Sequence, residues 1–412
     1  MSKLASEPSG EFGRLWAAGT VAGVGTGVTA VAGPLLAAAL TSDPVRIAGL
    51  MMAEQLPWVV LALPTGALSD RMDRRLLMTA SGVIRLAGLA ALAAAVAVGQ
   101  PGLPLLYVIF MLVGCAGVLY DNASMAMLPA TVRDGSLSLE RANGRMLASR
   151  TLGESLAGPP LGGLLFALAA WLPFALDALL FAAVTALSLL LSPVRVAPER
   201  PRVSLRAAIA DGLRWLLRHR LLRGFAVTVA VSNLMLGAVL SLLVLIAQQR
   251  LGLGPVGYGL LLTAAAVGGI AGSLVTARLV ALVGTGTVLR AGLVIETLAG
   301  PLLAVTTSPA LVMIMMGLLG VELLTFSTIG ASLRQSLAPA DMLGRVHSAY
   351  RLLTNAGLLA GAALGGLVAR SFGLTAPFWL SPAILGILTV CVWRLFGNAE
   401  IEAARRSTTR YR

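Results

Sequence analysis

Long apolar runs follow one another along nearly the whole 412-residue chain, at 15–40, 47–68, 76–98, 103–128, 146–170, 172–191, 224–247, 256–282, 287–306, 310–333, 346–369 and 374–396. Each is long enough to cross a bilayer core of about 30 Å as a helix. Lipid offers no water to exposed backbone groups, and a helix closes its own hydrogen bonds, so runs of this length imply a helical bundle rather than a barrel. Composition agrees: 57% of residues are hydrophobic and 12% charged, against roughly 45–50% and 25% in an ordinary soluble domain. The expected fold is an all-α membrane protein with twelve transmembrane helices.

A formal charge of +13 invites a nucleic-acid reading, but the position of the charge argues against it. With the N-terminus inside, only Arg46, Arg250 and Arg370 of the 31 Lys and Arg fall toward the outside. The rest gather at cytoplasmic ends, loops and termini, as the positive-inside rule requires. One missed span would reverse the alternation downstream, so this bias also supports the count. The expected partner is the lipid bilayer, with no nucleic acid, and both termini are expected in the cytoplasm. The Arg-rich, nearly Lys-free composition fits a bacterial inner membrane. The run after the polar segment Met1 to Arg14 exceeds a signal-peptide core of about 7–15 residues and is read as an uncleaved first helix. Cys115 and Cys391 both lie in apolar runs, which disfavours a disulfide framework.

One long polar stretch, 193–223, interrupts the pattern near the middle of the chain. It divides the sequence into an N-terminal six-helix bundle (1–192), a cytoplasmic linker (193–223) and a C-terminal six-helix bundle with a short tail (224–412). Within the linker, 205–223 is suited to an amphipathic surface helix with Trp215 as interfacial anchor. The halves echo each other. Asn143-Gly144-Arg145 opens the fifth span and Leu343-Gly344-Arg345 the eleventh; Gly162-Gly163 is answered by Gly365-Gly366, and Gly66-Ala67-Leu68 by Gly272-Ser273-Leu274. Every pair is separated by about half the chain length, which points to two pseudo-symmetric repeats, a common way to build a transporter.

Several chemistries are missing. Lys3 is the only lysine, so no Walker A loop can grip nucleotide phosphates. His219 and His347 are the only histidines, both in basic segments, which leaves no zinc-protease motif or intramembrane catalytic triad. No enzyme, metal or cofactor is expected.

Between the second and third spans the chain reads Gly66-Ala67-Leu68-Ser69-Asp70-Arg71-Met72-Asp73-Arg74-Arg75. This resembles the signature loop of the major facilitator superfamily, G-x-L-a-D-r-x-G-r-K/R with lower case for the variable positions, with one departure at an invariant position, Asp73 in place of glycine. Phe12-Gly13-Arg14-Leu15-Trp16 before the first span, Tyr120-Asp121, Leu128-Pro129 and Arg141-Ala142-Asn143 resemble the enterobactin-exporter-like and macrolide-efflux-like branch. The resemblance implies the major facilitator fold. It further implies a conformational latch formed by Gly66, Asp70, Arg71, Arg74, Arg75 and Asp121, in which Asp70 faces the start of the eleventh helix and Arg74 pairs with Asp121. The residues alone also allow the arginines to be simple topology determinants.

Gly158-Pro159-Pro160-Leu161-Gly162-Gly163 in the fifth span resembles the G-P-x-x-G-G core of the antiporter motif of the same superfamily. Gly158, Pro159, Gly162 and Gly163 therefore lean toward antiport, with generic close packing of small residues as the competing reading. Acids inside the membrane are costly and usually face cavities or partners, and burial favours their protonated form. Glu322 is the first choice for proton coupling, followed by Glu154, Asp177, Glu296 and Glu54. Arg150 lies one turn from Glu154, so an ion pair is equally consistent there. Asp177 and Glu54 sit nearer the outer face. Asn233, Tyr350 and Asn355 offer polar fixtures in a mostly apolar cavity. The expected function is proton-coupled export of hydrophobic or amphipathic small molecules (drugs, siderophores or secondary metabolites), by a monomer working through alternating access. The alternatives are a nutrient importer of the same fold and a non-transporting receptor or assembly protein of the membrane.

Overall fold

The computed structural model describes residues 10–61, 65, 72–132, 137–193, 205–339 and 342–409. Those residues form helices and no strands. They are α1 (Gly10–Leu40), α2 (Pro44–Val60), α3 (Arg74–Ala97), α4 (Leu103–Thr131), α5 (Leu139–Thr151), α6 (Gly158–Leu168), α7 (Leu172–Leu189), α8 (Leu205–Arg218), α9 (Arg220–Leu245), α10 (Pro255–Val283), α11 (Thr285–Val305), α12 (Pro309–Leu337), α13 (Leu343–Phe372), α14 (Ala376–Val392) and α15 (Asn398–Thr409). Among the described residues nine helices are long and apolar enough to cross a membrane. Three expected spans fall outside that class. Helix α2 has 17 described residues, α14 has 17, and the fifth span is broken.

That break corrects the sequence expectation of one helix over 146–170. The helix begins earlier, at Leu139, and Leu152–Ala157 forms a π turn between α5 and α6. Pro159 and Pro160 lack N–H groups, so the carbonyls one turn back lose their donors. The ladder widens there, and Gly158 N–H donates to the Gly153 carbonyl, five residues away. A π turn of this kind is often found at functional sites.

The chain forms two compact units: residues 1–42, 49–200 and 254–263, and residues 43–48, 201–253 and 264–412. In the first unit, Phe12 and Leu15 of α1 are fully buried with Leu77, Met78, Phe181 and Val184. This explains much of the Phe12–Trp16 motif: Phe12 and Leu15 enter the core, Trp16 is exposed, and Arg14 Nη1 donates to the Leu190 carbonyl at the end of α7 (2.9 Å). In the second unit, Phe225 stacks on Phe326 and on Tyr350 and tilts against Phe396. Large apolar side chains such as Leu168, Leu282 and Val390 point outward, the face a lipid solvent requires.

The same crossing recurs in both units. In the first, Gly27 of α1 and Gly158 of α6 meet backbone to backbone, and a Cβ on either would strike the other's main chain. In the second, Gly237 of α9 and Gly361 of α13 stand equally close to the backbones of α13 and α9. Without side chains the helices approach to van der Waals contact, which drives association where lipid supplies no hydrophobic force. First with fifth and seventh with eleventh spans is the pairing the internal repeat implies.

Polar ends are tied locally. Asp73 is the N-cap of α3, its Oδ1 accepting from Arg75 N–H at 2.9 Å, which gives the departure from glycine in the signature loop a physical use. His219 caps α9 through Nδ1, and burial holds its imidazole below the ordinary range, in keeping with the free lone pair the cap needs. The middle segment is not a detached linker in its described part. Helix α8 belongs to the second unit, Gly212 lies on the Arg345 backbone, and Trp215 packs against that unit's core and stacks on His219 rather than standing out as an anchor. The C-terminal tail is helical too: Asn398 accepts from Gly286 N–H (2.7 Å) and donates to the Val283 carbonyl (3.0 Å), bridging the one-residue turn at Gly284, where φ is +84°.

Candidate functional site

The polar residues of the first unit gather around a cavity of about 220 Å³. Helix α2 brings Glu54 and, one turn on, Trp58; α3 brings Arg85; α4 brings Tyr120 and Asp121; α5 and the π turn bring Arg150 and Glu154. Close approach makes this possible: a Cβ at Gly114 of α4 would strike the Glu54 carbonyl, so only glycine lets α2 lie so near.

Two ion-pair groups organise the charge. Arg150 Nη1 meets Asp121 Oδ2 at 2.7 Å and its Nε meets Glu154 Oε2 at 3.0 Å. Arg85 Nη2 lies 3.5 Å from Asp177 Oδ2, which also accepts from the Thr29 hydroxyl, while Arg85 Nη1 donates to Thr26 Oγ1 at 3.1 Å. The Arg85 guanidinium lies over the Phe181 ring, its Cζ 3.9 Å from the ring centre.

Several expectations change here. Asp177 is not near solvent: it is fully buried and paired. Arg74 does not pair with Asp121. Its Nη1 donates to the Ala126 carbonyl at 2.6 Å, because Arg74 opens α3 and reaches only the last turns of α4, where Pro129 interrupts the ladder. Asp121 lies more than a turn further in and is taken by Arg150. Glu154 is half of an ion pair. Gly66, Asp70 and Arg71 lie outside the described residues, and Arg75 is partly buried with its N–H capped by Asp73. Arg85 is a site residue that the sequence reading lacks, although a lone arginine amid the third span is a visible signal.

Gly158 and Gly162 pack on Gly27 and Val28 of α1, and Gly163 on Pro255 and Val256; Pro159 is buried beside them. This is the close-packing role. Asn233 donates to the Thr354 carbonyl at 3.0 Å, and Tyr350 lies beneath the Arg334 guanidinium, 3.9 Å from the ring centre, and against Phe225. Both hold helices of the second unit together instead of facing the cavity described above. Asn355 is partly buried.

In the second unit Glu322 of α12 and Glu296 of α11 are each about 9% exposed. The Glu322 side chain packs over Gly292, one turn from Glu296, within electrostatic reach of its carboxylate. Ser232 Oγ of α9 donates to Glu296 Oε2 at 2.6 Å. Each acid is visible singly as a membrane acid; their juxtaposition depends on the packing of α11 on α12. Among the described residues no arginine pairs with either.

The Asp121–Arg150 contact is testable at once. Both partners are partly exposed, so each single change, Asp121→Asn or Arg150→Ala, is expected to cost about 1 kcal/mol. Because they share one interaction, the double change should cost no more than the worse single. Fully additive losses in thermal unfolding would dissolve the pair.

Comparison with known proteins gives a consistent picture. The family described as transmembrane secretion effector matches residues 1–411. The multidrug efflux pump Tap of Mycolicibacterium fortuitum is 25% identical over 392 residues, covering 92% of this chain and 94% of that protein. Among solved structures, the nucleoside transporter NupG superposes with a TM-score of 0.75 at 14% identity, covering 94% of this chain and 99% of that one. A bacterial homologue of the iron transporter ferroportin, in an inward-facing state, gives 0.70 at 18% identity, with 94% and 98% coverage.

Proposed function

Since this chain belongs to the transmembrane secretion effector family, within the major facilitator superfamily of transporters, we propose that it is a proton-coupled exporter of hydrophobic or amphipathic small molecules. Drugs, siderophores and secondary metabolites are the substrate classes in view. The observation that carries the coupling is the Glu296–Glu322 pair: two buried acids within electrostatic reach of each other, of which one can hold a proton and release it when water enters. The similarity to a multidrug efflux pump supports the outward direction.

In this reading the protein crosses the inner membrane of a bacterium twelve times, with both termini in the cytoplasm, and works as a monomer by alternating access. The 66–75 loop enters on its sequence, as the latch that opens and closes with each cycle. The second reading, a nutrient importer, fits the fold shared with a nucleoside transporter.

Vesicle orientation decides between them. Inside-out vesicles with an acid interior should accumulate lipophilic fluorescent compounds against their gradient, and a protonophore should abolish this. Uphill uptake confined to right-side-out vesicles would instead establish import.

A further inference from the structure

The cavity of the first unit carries more negative than positive charge. Its lining holds three acids, Glu54, Asp121 and Glu154, against two arginines, Arg85 and Arg150. Both arginines are already engaged, Arg150 by Asp121 and Glu154 and Arg85 by Asp177 behind the wall. Among the described residues no ion pair or hydrogen bond engages the Glu54 carboxylate, although Arg85, Glu154 and Asp177 all lie within its electrostatic reach. An acid facing a cavity in such a setting attracts a cation.

A second observation points to a ligand independently. Tyr120 lines the same cavity and is only 7% exposed, and its hydroxyl has no hydrogen-bond partner. A buried hydroxyl is rarely left so, because the unmade bond is costly. Trp58, one turn from Glu54, adds an aromatic surface to the same wall, of the kind that favours cations and apolar rings alike. The volume of about 220 Å³ is below the range of about 300–1,000 Å³ usual for drug-sized ligands. It suits one ring with a charged head.

From these features we infer that the first-unit cavity is a recognition site for amphipathic organic cations, with the ammonium head of an arylalkyl amine held by Glu54. This rests on the exporter reading and deepens it, by naming the substrate class and separating its site from the Glu296–Glu322 acids. Anionic compounds should bind this cavity more weakly, because both described cations of its lining already have carboxylate partners.

A matched series tests this by charge alone: 4-phenylbutylamine, 4-phenylbutanol and 4-phenylbutyrate, titrated calorimetrically into the full-length protein in nanodiscs of neutral lipid, with empty nanodiscs as background. The amine should bind at least about tenfold more tightly than the alcohol, the difference expected of a charge-assisted contact, and the butyrate should bind most weakly. Glu54→Gln should erase the advantage of the amine and leave the alcohol unchanged. Equal binding of amine and alcohol by the wild-type protein would overturn the assignment without any variant. So would an amine preference that survives in Glu54→Gln. The titration needs no gradient, so its failure is distinct from a failure of uphill export in vesicles.

Discussion

Replacing Glu322 with glutamine should reduce pH-gradient-driven export by about a hundredfold or more, the lower end of what a positioned proton-transfer group contributes. Glutamine keeps the size and the hydrogen-bonding capacity of the acid but cannot carry a proton. Glu322 packs over Gly292, so an isosteric change leaves that contact in place and thermal stability close to wild type. Downhill exchange of substrate should survive, because it does not require a proton to move. Glu322→Asp should retain partial activity, as an ionisable group set back by one methylene. Glu296 has Ser232 as an additional donor, so Glu296→Gln should be milder, shifting the pH dependence of export rather than ending it. A Glu322→Gln protein that exports uphill at the wild-type rate with the wild-type pH profile would remove this acid from the coupling.

The second large effect concerns stability. Asp177 and the Arg85 side chain are 0% and 6% exposed and face each other across the first unit. Removing one member of a buried pair strands the other charge, at a cost of about 3–5 kcal/mol. Asp177→Asn or Arg85→Leu should therefore lower the unfolding temperature sharply and reduce the yield of inserted protein. The double variant should recover much of the loss, because neither charge is then stranded. Some loss should remain, since Arg85 also covers the Phe181 ring and donates to Thr26. If the double variant is as unstable as the sum of the singles, the two residues do not act as a pair.

These contacts mark where the sequence could and could not be read. The spans were legible because the bilayer demands length and apolarity from each segment separately, so no partner has to be known. The repeat was legible in its glycines for a related reason: close crossings tolerate nothing larger, and Gly158 and Gly361 announce them locally. The fifth span reads as one helix over 146–170 because apolarity and length alone do not register Pro159 and Pro160. Their missing donors instead widen the ladder into a π turn around Glu154. The partner of Asp121 was beyond local inspection. Which of Arg74, Arg85 and Arg150 reaches it depends on the rotation and depth of three helices, and only packing sets those. Likewise Glu296 and Glu322 were each visible as membrane acids, while their pairing required α11 and α12 to present them at one level.

The twin crossings bear on how such a protein can diversify. If the halves descend from one duplicated segment, each inherited a glycine crossing that steric exclusion keeps fixed, Gly27 on Gly158 in one and Gly237 and Gly361 on the facing backbones in the other. The side chains around those contacts were under no such constraint. One copy now holds arginines bound to carboxylates about a small cavity, and the other holds two acids with which no described arginine pairs. Ancestry is thus written in the residues that have no side chain, and specialisation in those that do. A newly selected cargo could be accommodated by altering the cavity of one copy alone, with the backbone frame of both left as it stands.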